Sequence, residues 1–421
     1  MNMSKNALVS FTGNRQIDTK IELTGSKSES NRALIIAALS DGLVKVHNLS
    51  DAADTVTLNN ILKQLKEGND GEMYRVVDVG HAGTAMRFLT AYLSTLGGLF
   101  HLTGSGRMKE RPIKLLVEAL QTLGAAISYA GEAGYPPLDI NPDFKQKTAA
   151  VKIQGNVSSQ YLSALLMIAP SLPMGLSLEI EGELTSRPYL EMTLTMLEEV
   201  GVMHQWNDNI IHIDHQPFQS NDLTVEPDWS AASYWYSIVA LTDQAIIGLP
   251  NLKEQSLQGD SRIQKIMVPF GVRTAHVPNG IELKSGTSVQ IEETLNLKDC
   301  PDLAQTIIVC AAAKGLNLSF TGLETLKIKE TNRVLALQQE LTKIGVVLKE
   351  DNEVYTLDCT QLSFPEKVSF ATYDDHRMAM AFAPLALFIK EIEIEDYQVV
   401  EKSYPDFWKD LNKAGFTIQE L

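Results

Sequence analysis

Cysteine is scarce in this chain: Cys300, Cys310 and Cys359 are the only three in 421 residues, an odd number with no CxxC spacing. That excludes a disulfide framework and a cysteine-built zinc site, and it reads as reduced thiols in a cytoplasmic protein. Basic charge is short as well. Lys and Arg number 36 against 52 Asp and Glu, a formal net charge of −16, which argues against a nucleic-acid partner because such recognition needs a basic face. Long apolar runs are missing too. The N-terminus, Met1 to Phe11, holds no apolar core of signal-peptide length. The longest charge-free stretch, Gly155 to Leu178, contains Pro170, Pro173 and several serines, so it reads as a buried helix and a turn, with no membrane span expected. No GxxxxGK[ST] and no GxGxxG occurs, which removes the familiar nucleotide cradles. His212 and His215 sit three apart on an expected strand and point to opposite faces, so they are structural and no metal is expected.

What is present is an ordinary globular composition, 44% hydrophobic and 21% charged. A chain of this length exceeds what one core organises, so at least two domains are expected. Small polar residues run into an apolar helical stretch six times, opening at Ser26, Gly83, Ser158, Ser230, Pro301 and Asp374. The first spacing is 57 residues and the others are 71 to 75. A second helix follows each time and ends near a glycine: Gly68, Gly124, Gly201, Gly271, Gly345 and Gly415. Short β-rich runs come next, such as VVLKEDNEVYTL. The repeat is therefore helix, strand, helix, strand, strand. Six copies divide into two lobes of three, and the short first copy is expected to lack a hairpin.

Each repeat opens at a helix N-terminus, where unpaired N–H groups and the positive end of the dipole face outward. One such end is ordinarily just a cap; six around two facing lobes make an anion-attracting cleft. Basic residues recur at the same place. Lys27 and Arg32 lie at the first helix, Arg87 at the second, and Arg107, Lys109 and Arg111 crowd into RMKERP, where Pro112 is expected to open the next helix. Lys327, Lys329 and Arg333 surround KIKETNR, Arg377 follows Asp375 and His376, and Lys402 precedes Ser403. Arginine forks suit phosphate and carboxylate, although any single one of these cations reads equally as solvated surface. Asp302, Glu330 and Asp375 sit among them, as bases held ionised by their neighbours or as structural ion-pair partners.

Nine motifs carry a resemblance: LTGSKSESNRALIIAAL, GHAGTAMRFL, GSGRMKERPI, VSSQYLSALLM, SRPYLEMTL, SLQGD, IKETNR, ATYDDHRMAM and KSYPDFW. In order and spacing they resemble the 5-enolpyruvylshikimate-3-phosphate synthase family from about residue 20 to 410. The resemblance implies a two-lobed inside-out α/β barrel of six βαβαββ repeats, three per lobe. The first lobe would be 1–24 plus 227–421 and the second 25–226, with the active site in the cleft between them. It implies transfer of the enolpyruvyl group from phosphoenolpyruvate to the 5-hydroxyl of shikimate 3-phosphate. The hydroxyl adds to C2 while C3 takes a proton, and phosphate then leaves as C3 loses one.

Residue by residue, the resemblance places Lys27, His81, Gly83, Arg111, Gln160, Arg333, Arg377 and Lys402 around phosphoenolpyruvate. Ser28, Arg32, Ser158, Ser159, Gln160, Ser186, Tyr189, Asp302 and Lys329 would hold shikimate 3-phosphate. Asp302 and Glu330, helped by Lys27 and with His376 nearby, would move the protons. No cofactor or metal is implied, the partners are the two small substrates, and the family works as a monomer. Four positions depart from the family pattern: His81 and Thr325 stand where Asn is usual, Asn332 where Asp is usual, and Phe88 where Pro is usual. Gly83, which leaves room for glyphosate in the family, is retained and implies inhibition. Two rivals share the fold. One is the transferase acting on a UDP-amino sugar, UDP-N-acetylglucosamine enolpyruvyl transferase, which carries a reactive loop cysteine absent from RMKERP here. The other is a non-catalytic anion-binding relative.

Overall fold

The computed structural model describes residues 5–67 and 74–421. It divides into two units, Met1–Thr24 with Glu226–Leu421, and Gly25–Val225. Among the described residues no helix is long and apolar enough to cross a membrane.

Both units are built from the same sheet. In the second unit, strand Tyr74–Asp78 pairs parallel with Leu99–Thr103, which pairs antiparallel with Leu138–Asn141, itself antiparallel to Ala126–Tyr129. Ala150–Gln154, Leu176–Glu181, Ile210–Ile213 and Gln205–Asn207 repeat that order. The third sheet there has two strands among the described residues, Val44–His47 parallel to Asn221–Thr224. This is the repeat with the short spacing, and among the described residues it carries no hairpin, as expected.

The first unit has three four-stranded sheets. The N-terminal strands complete two of them. Gln16–Lys20 lies parallel to Gln244–Pro250 and opens one sheet, whereas Ala7–Phe11 sits between Glu391–Ile394 and Phe416–Glu420 and closes another. Along Gln244–Pro250, Ala245, Ile247 and Leu249 are buried while the alternate residues are not, the period-two pattern of a sheet with one covered face.

In the first unit the helices that open the repeats are buried nearly all round. Trp229–Leu241 has every residue but Ser230 buried, and Ala304–Ala313 has all ten buried. Such helices have no solvent face. In the first unit Ala304–Ala313 packs against both Trp229–Leu241 and His376–Phe382, and in the second unit Lys27–Leu39, Gly83–Leu96 and Ser159–Ile168 pack against one another. Helices inside and sheets outside give the inside-out α/β arrangement.

Local chemistry explains the boundaries. Ser26, Ser158, Asp228 and Asp375 cap their helices by accepting from backbone N–H groups of the first turn. The fourth helix thus starts at Trp229, one residue before the expected Ser230, and at Pro301 a 3-10 turn precedes the α-helix. Gly124, Gly201, Gly271, Gly345 and Gly415 all adopt positive φ. At Gly124, φ is 118° and a Cβ would lie 1.9 Å from the Lys145 carbonyl oxygen, so no other residue fits. Gly68 lies outside the described residues. The helix before Gly271 is a single turn, Ile263–Ile266. Gly25, the first residue of the second unit, would place a Cβ 2.1 Å from the Asn48 carbonyl oxygen.

Pro112 does not open a helix. The helix begins at Lys114, and its first laddered carbonyl is that of Ile113. The Pro112 carbonyl turns away, accepting from Arg87 Nη2 at 3.2 Å and from the Tyr161 hydroxyl.

Candidate active site

In the first unit, charges converge on Arg333. It opens the helix Arg333–Thr342, whose cap is Asn332, with Oδ1 accepting from Leu335 N–H at 3.1 Å. The Arg333 side chain is 2% exposed and engages three carboxylates. Nε donates to Asp375 Oδ2 at 2.6 Å, Nη1 to Asp302 Oδ1 at 3.2 Å and Nη2 to Glu330 Oε2 at 2.9 Å. Burial alone would lower its pKa. The charges of Asp375, Glu330 and Asp302 outweigh that and hold it above its ordinary value.

A second ring of cations touches the same acids. Arg377 Nη2 lies 2.9 Å from Asp302 Oδ2, and Lys402 Nζ 3.4 Å from Glu330 Oε1. Asp375 also caps the following helix, accepting from Arg377 N–H at 2.9 Å. His376 is buried with Nδ1 3.7 Å from Asp375. Lys329 is half-buried beside Glu330. The structure therefore gathers Asp302, Glu330, Arg333, Asp375, His376, Arg377 and Lys402 from the fifth and sixth repeats.

Sequence reasoning missed Asp260 here, although SLQGD contains it. Its carboxyl is buried; Oδ2 accepts from the Ser230 hydroxyl, and Oδ1 has no protein hydrogen-bond partner. Ser230 Oγ in turn accepts from Arg377 Nη2 at 3.4 Å. Burial, then the charge of Asp302, push the Asp260 carboxyl up to about 7, against the pull of Arg377. A folded-state pKa above the unfolded value makes stability fall as pH rises from the unfolded carboxyl range to about 7, and level off above it. Asp260→Asn mimics the protonated acid. It is expected to gain stability over the parent by on the order of 2 kcal/mol between about pH 5 and pH 8, read by urea unfolding at both. A pH-independent difference would show that Asp260 is ionised throughout.

The second unit gathers a different set. Lys27 Nζ lies 3.5 Å from Asp54 Oδ2, a partner carrying no motif signal. Arg32 is fully buried: Nε donates to Thr193 Oγ1 at 2.7 Å, Nη1 to the Ser28 carbonyl at 2.9 Å and Nη2 to Ser163 Oγ at 2.9 Å. Its guanidinium lies over the rings of Phe88 and Tyr189, at 5.4 and 5.6 Å, and burial lowers its pKa to about 10. Phe88 thus gives Arg32 an aromatic face.

Gly83 and Arg111 are in close contact, for a Cβ at Gly83 would lie 2.5 Å from Arg111 Nη1. Gln160 Nε2 donates to Thr84 Oγ1 at 3.0 Å, next to Gly83. Ser158 caps the helix in which Ser159 and Gln160 form the first turn. Ser186 is buried at φ 56°, two residues before Pro188 and three before Tyr189. His81, two residues before Gly83, is exposed. So are the cations that proved to be solvated: Arg107 pairs with Glu110, Lys327 with Glu350, and Lys109 is exposed.

Repeated βαβαββ sheets around buried helices, with clustered cations and carboxylates at the helix starts, define an enolpyruvyl-transferase type of α/β protein. A solved enolpyruvyl transferase, NikO from Streptomyces tendae, has this fold at a TM-score of 0.72 and 15% identity, covering 99% of both chains. A solved EPSP synthase from Acinetobacter baumannii superposes at a TM-score of 0.76 and 20% identity, over 99% of this chain and 100% of that one. The family model of EPSP synthase (3-phosphoshikimate 1-carboxyvinyltransferase) matches residues 11–411. A 3-phosphoshikimate 1-carboxyvinyltransferase of Bacteroides fragilis is 48% identical over 96% of this chain and 97% of its own, and one from Laribacter hongkongensis is 37% identical over 92% and 95%. The chain belongs to the EPSP synthase family. The UDP-sugar rival is not favoured, and the chemistry agrees: all three cysteines are buried, with burial raising their thiols to about 12, 11 and 11, which makes them poor nucleophiles.

Proposed function

We propose that this chain transfers the enolpyruvyl group of phosphoenolpyruvate to the 5-hydroxyl of shikimate 3-phosphate, releasing phosphate on the route to chorismate and aromatic amino acids. The observation that carries the reading is Glu330 and Asp302 set against Arg333, Arg377 and Lys402. Addition and elimination both need a proton carried to and from C3 and a base at the hydroxyl; Glu330 and Asp302 take these roles, helped by Lys27 and with His376 adjacent. Lys27, His81, Gly83, Arg111, Gln160, Arg333, Arg377 and Lys402 hold phosphoenolpyruvate, whose charges call for forks and point cations. Ser28, Arg32, Ser158, Ser159, Gln160, Ser186, Tyr189, Asp302 and Lys329 hold shikimate 3-phosphate. The protein works as a monomer in the cytoplasm; its three free buried cysteines support the reducing compartment.

The test is phosphate release by the purified protein given phosphoenolpyruvate with and without shikimate 3-phosphate. Release that depends on both supports the reading, and binding of shikimate 3-phosphate without release favours the non-catalytic relative.

Gly83→Ala tests the phosphoenolpyruvate assignment. The atoms nearest the added methyl are those of the flexible Arg111 guanidinium, so the fold is expected to survive while the guanidinium must move. The expected result is a KM for phosphoenolpyruvate raised about tenfold or more with little change in melting temperature. An unchanged KM would remove Arg111 from the set. Retention of Gly83 also supports inhibition by glyphosate competing with phosphoenolpyruvate.

A further inference from the structure

Tyr373 and Asp374 adopt φ of 54° and 56°, two consecutive non-glycine residues in the left-handed region. Asp375, His376 and Arg377 follow directly. Side chains other than glycine's rarely adopt that conformation, so the surrounding structure has to hold it.

The holding group is Glu340. It sits on the helix Arg333–Thr342 with its side chain 1% exposed. Oε2 accepts from Ala371 N–H at 3.0 Å and from Lys343 Nζ at 2.6 Å. Oε1 accepts from the Tyr373 hydroxyl at 2.7 Å. Lys343 also donates to the Ser369 carbonyl at 2.9 Å, just upstream.

Glu340 and Arg333 are seven residues apart, two turns on one face of the helix. Glu340 grips the chain at Ala371 and Tyr373, and Arg333 grips it at Asp375. One helix therefore clamps the strained pair from both sides. Past the clamp, the Asp375 carboxylate caps Arg377 N–H, and Arg377 Nη1 donates to the Asp302 carbonyl at 3.0 Å.

We propose that Glu340, acting through Tyr373, is a positioning residue that fixes where the Asp375–His376–Arg377 segment, and with it the Arg377 guanidinium, is presented. This rests on the reading in which Arg377 holds phosphoenolpyruvate. In sequence Glu340 is one of the polar residues in LQQELTKIG, indistinguishable from a solvated helix face.

Tyr373→Phe removes one leg of the clamp with minimal change in shape, and Glu340→Gln weakens all of it. Steady-state kinetics and amide hydrogen exchange on the full chain read the effect. In Tyr373→Phe the amides of Asp375, Arg377 and Met378 are expected to exchange about tenfold faster, with exchange elsewhere unchanged. The KM for phosphoenolpyruvate is expected to rise about fivefold to tenfold, and that for shikimate 3-phosphate to stay within about twofold. In an Arg377→Lys background, Tyr373→Phe should add no further rise. Unchanged exchange at those three amides overturns the proposal, even if the melting temperature falls. Faster exchange with an unchanged KM upholds the clamp and overturns instead the assignment of Arg377 to phosphoenolpyruvate.

Discussion

Replacing Glu330 by glutamine is expected to lower kcat by about 10²- to 10⁴-fold while shikimate 3-phosphate binds within about threefold of normal. The substitution keeps the side-chain volume but only one oxygen, enough for Arg333 Nη2, now 2.9 Å from Oε2, while the amide NH2 replaces the Oε1 that lies 3.4 Å from Lys402 Nζ. It removes the charge and the ability to carry a proton. Arg333 still has Asp302 and Asp375 as partners, so the variant should fold. Most residues assigned to shikimate 3-phosphate, Ser28, Arg32, Ser158, Ser159, Ser186 and Tyr189, belong to the other unit of the chain. Single-turnover phosphate release and calorimetric titration with shikimate 3-phosphate separate the two quantities. A binding loss as large as the rate loss would make Glu330 a binding group and leave the C3 proton without an assigned carrier. The larger Glu330→Ala should lose as much rate and more stability, because Lys402 then faces an empty site.

The repeats were legible because they depend on local chemistry. Helix starts at Ser26, Ser158 and Asp375 announce themselves through side chains that cap, and the helix stop at Gly124 through a conformation that only glycine takes freely. The same holds for the sheet that has only two strands among the described residues, which is a matter of length. Pro112 misled because its carbonyl is claimed by Arg87 and Tyr161, which are 25 and 49 residues away, and no local signal announces that. The site residues were legible as types at helix starts, but which cations matter was not. Arg333 and Lys327 stand six apart in one motif; burial against three carboxylates separates the first from the second, which pairs with exposed Glu350. Asp54, Asp260 and Glu340 were silent for a related reason. Each is an ordinary helix or turn residue until a distant segment covers it, and burial, not residue type, is what gives a carboxyl its consequence.

Removing that burial's compensation gives the largest stability effect expected in this protein. Arg333→Met should destabilise the fold by about 3–5 kcal/mol, because it leaves acids inside the protein with their shared cation gone. Asp375 is the worst placed: it is fully buried, and both its oxygens face Arg333, at 2.6 and 3.4 Å. Asp302 and Glu330 keep Arg377 and Lys402, so their loss is partial. Arg333→Lys keeps the charge but gives up the fork that reaches three acids at once, and should cost about half as much. The penalty has a sign in pH. Carboxyls buried without a cation take up protons more readily than in the unfolded chain, which favours the fold in acid; the deficit of Arg333→Met should therefore narrow as the pH is lowered. Adding Asp375→Asn removes the worst of the unpaired charge, so the double variant should be less destabilised than the two single losses combined. Urea unfolding of the parent, both singles and the double measures the cycle. Strict additivity, or a loss below about 1 kcal/mol for Arg333→Met, would mean that the clasp contributes little and that the acids are held by other groups.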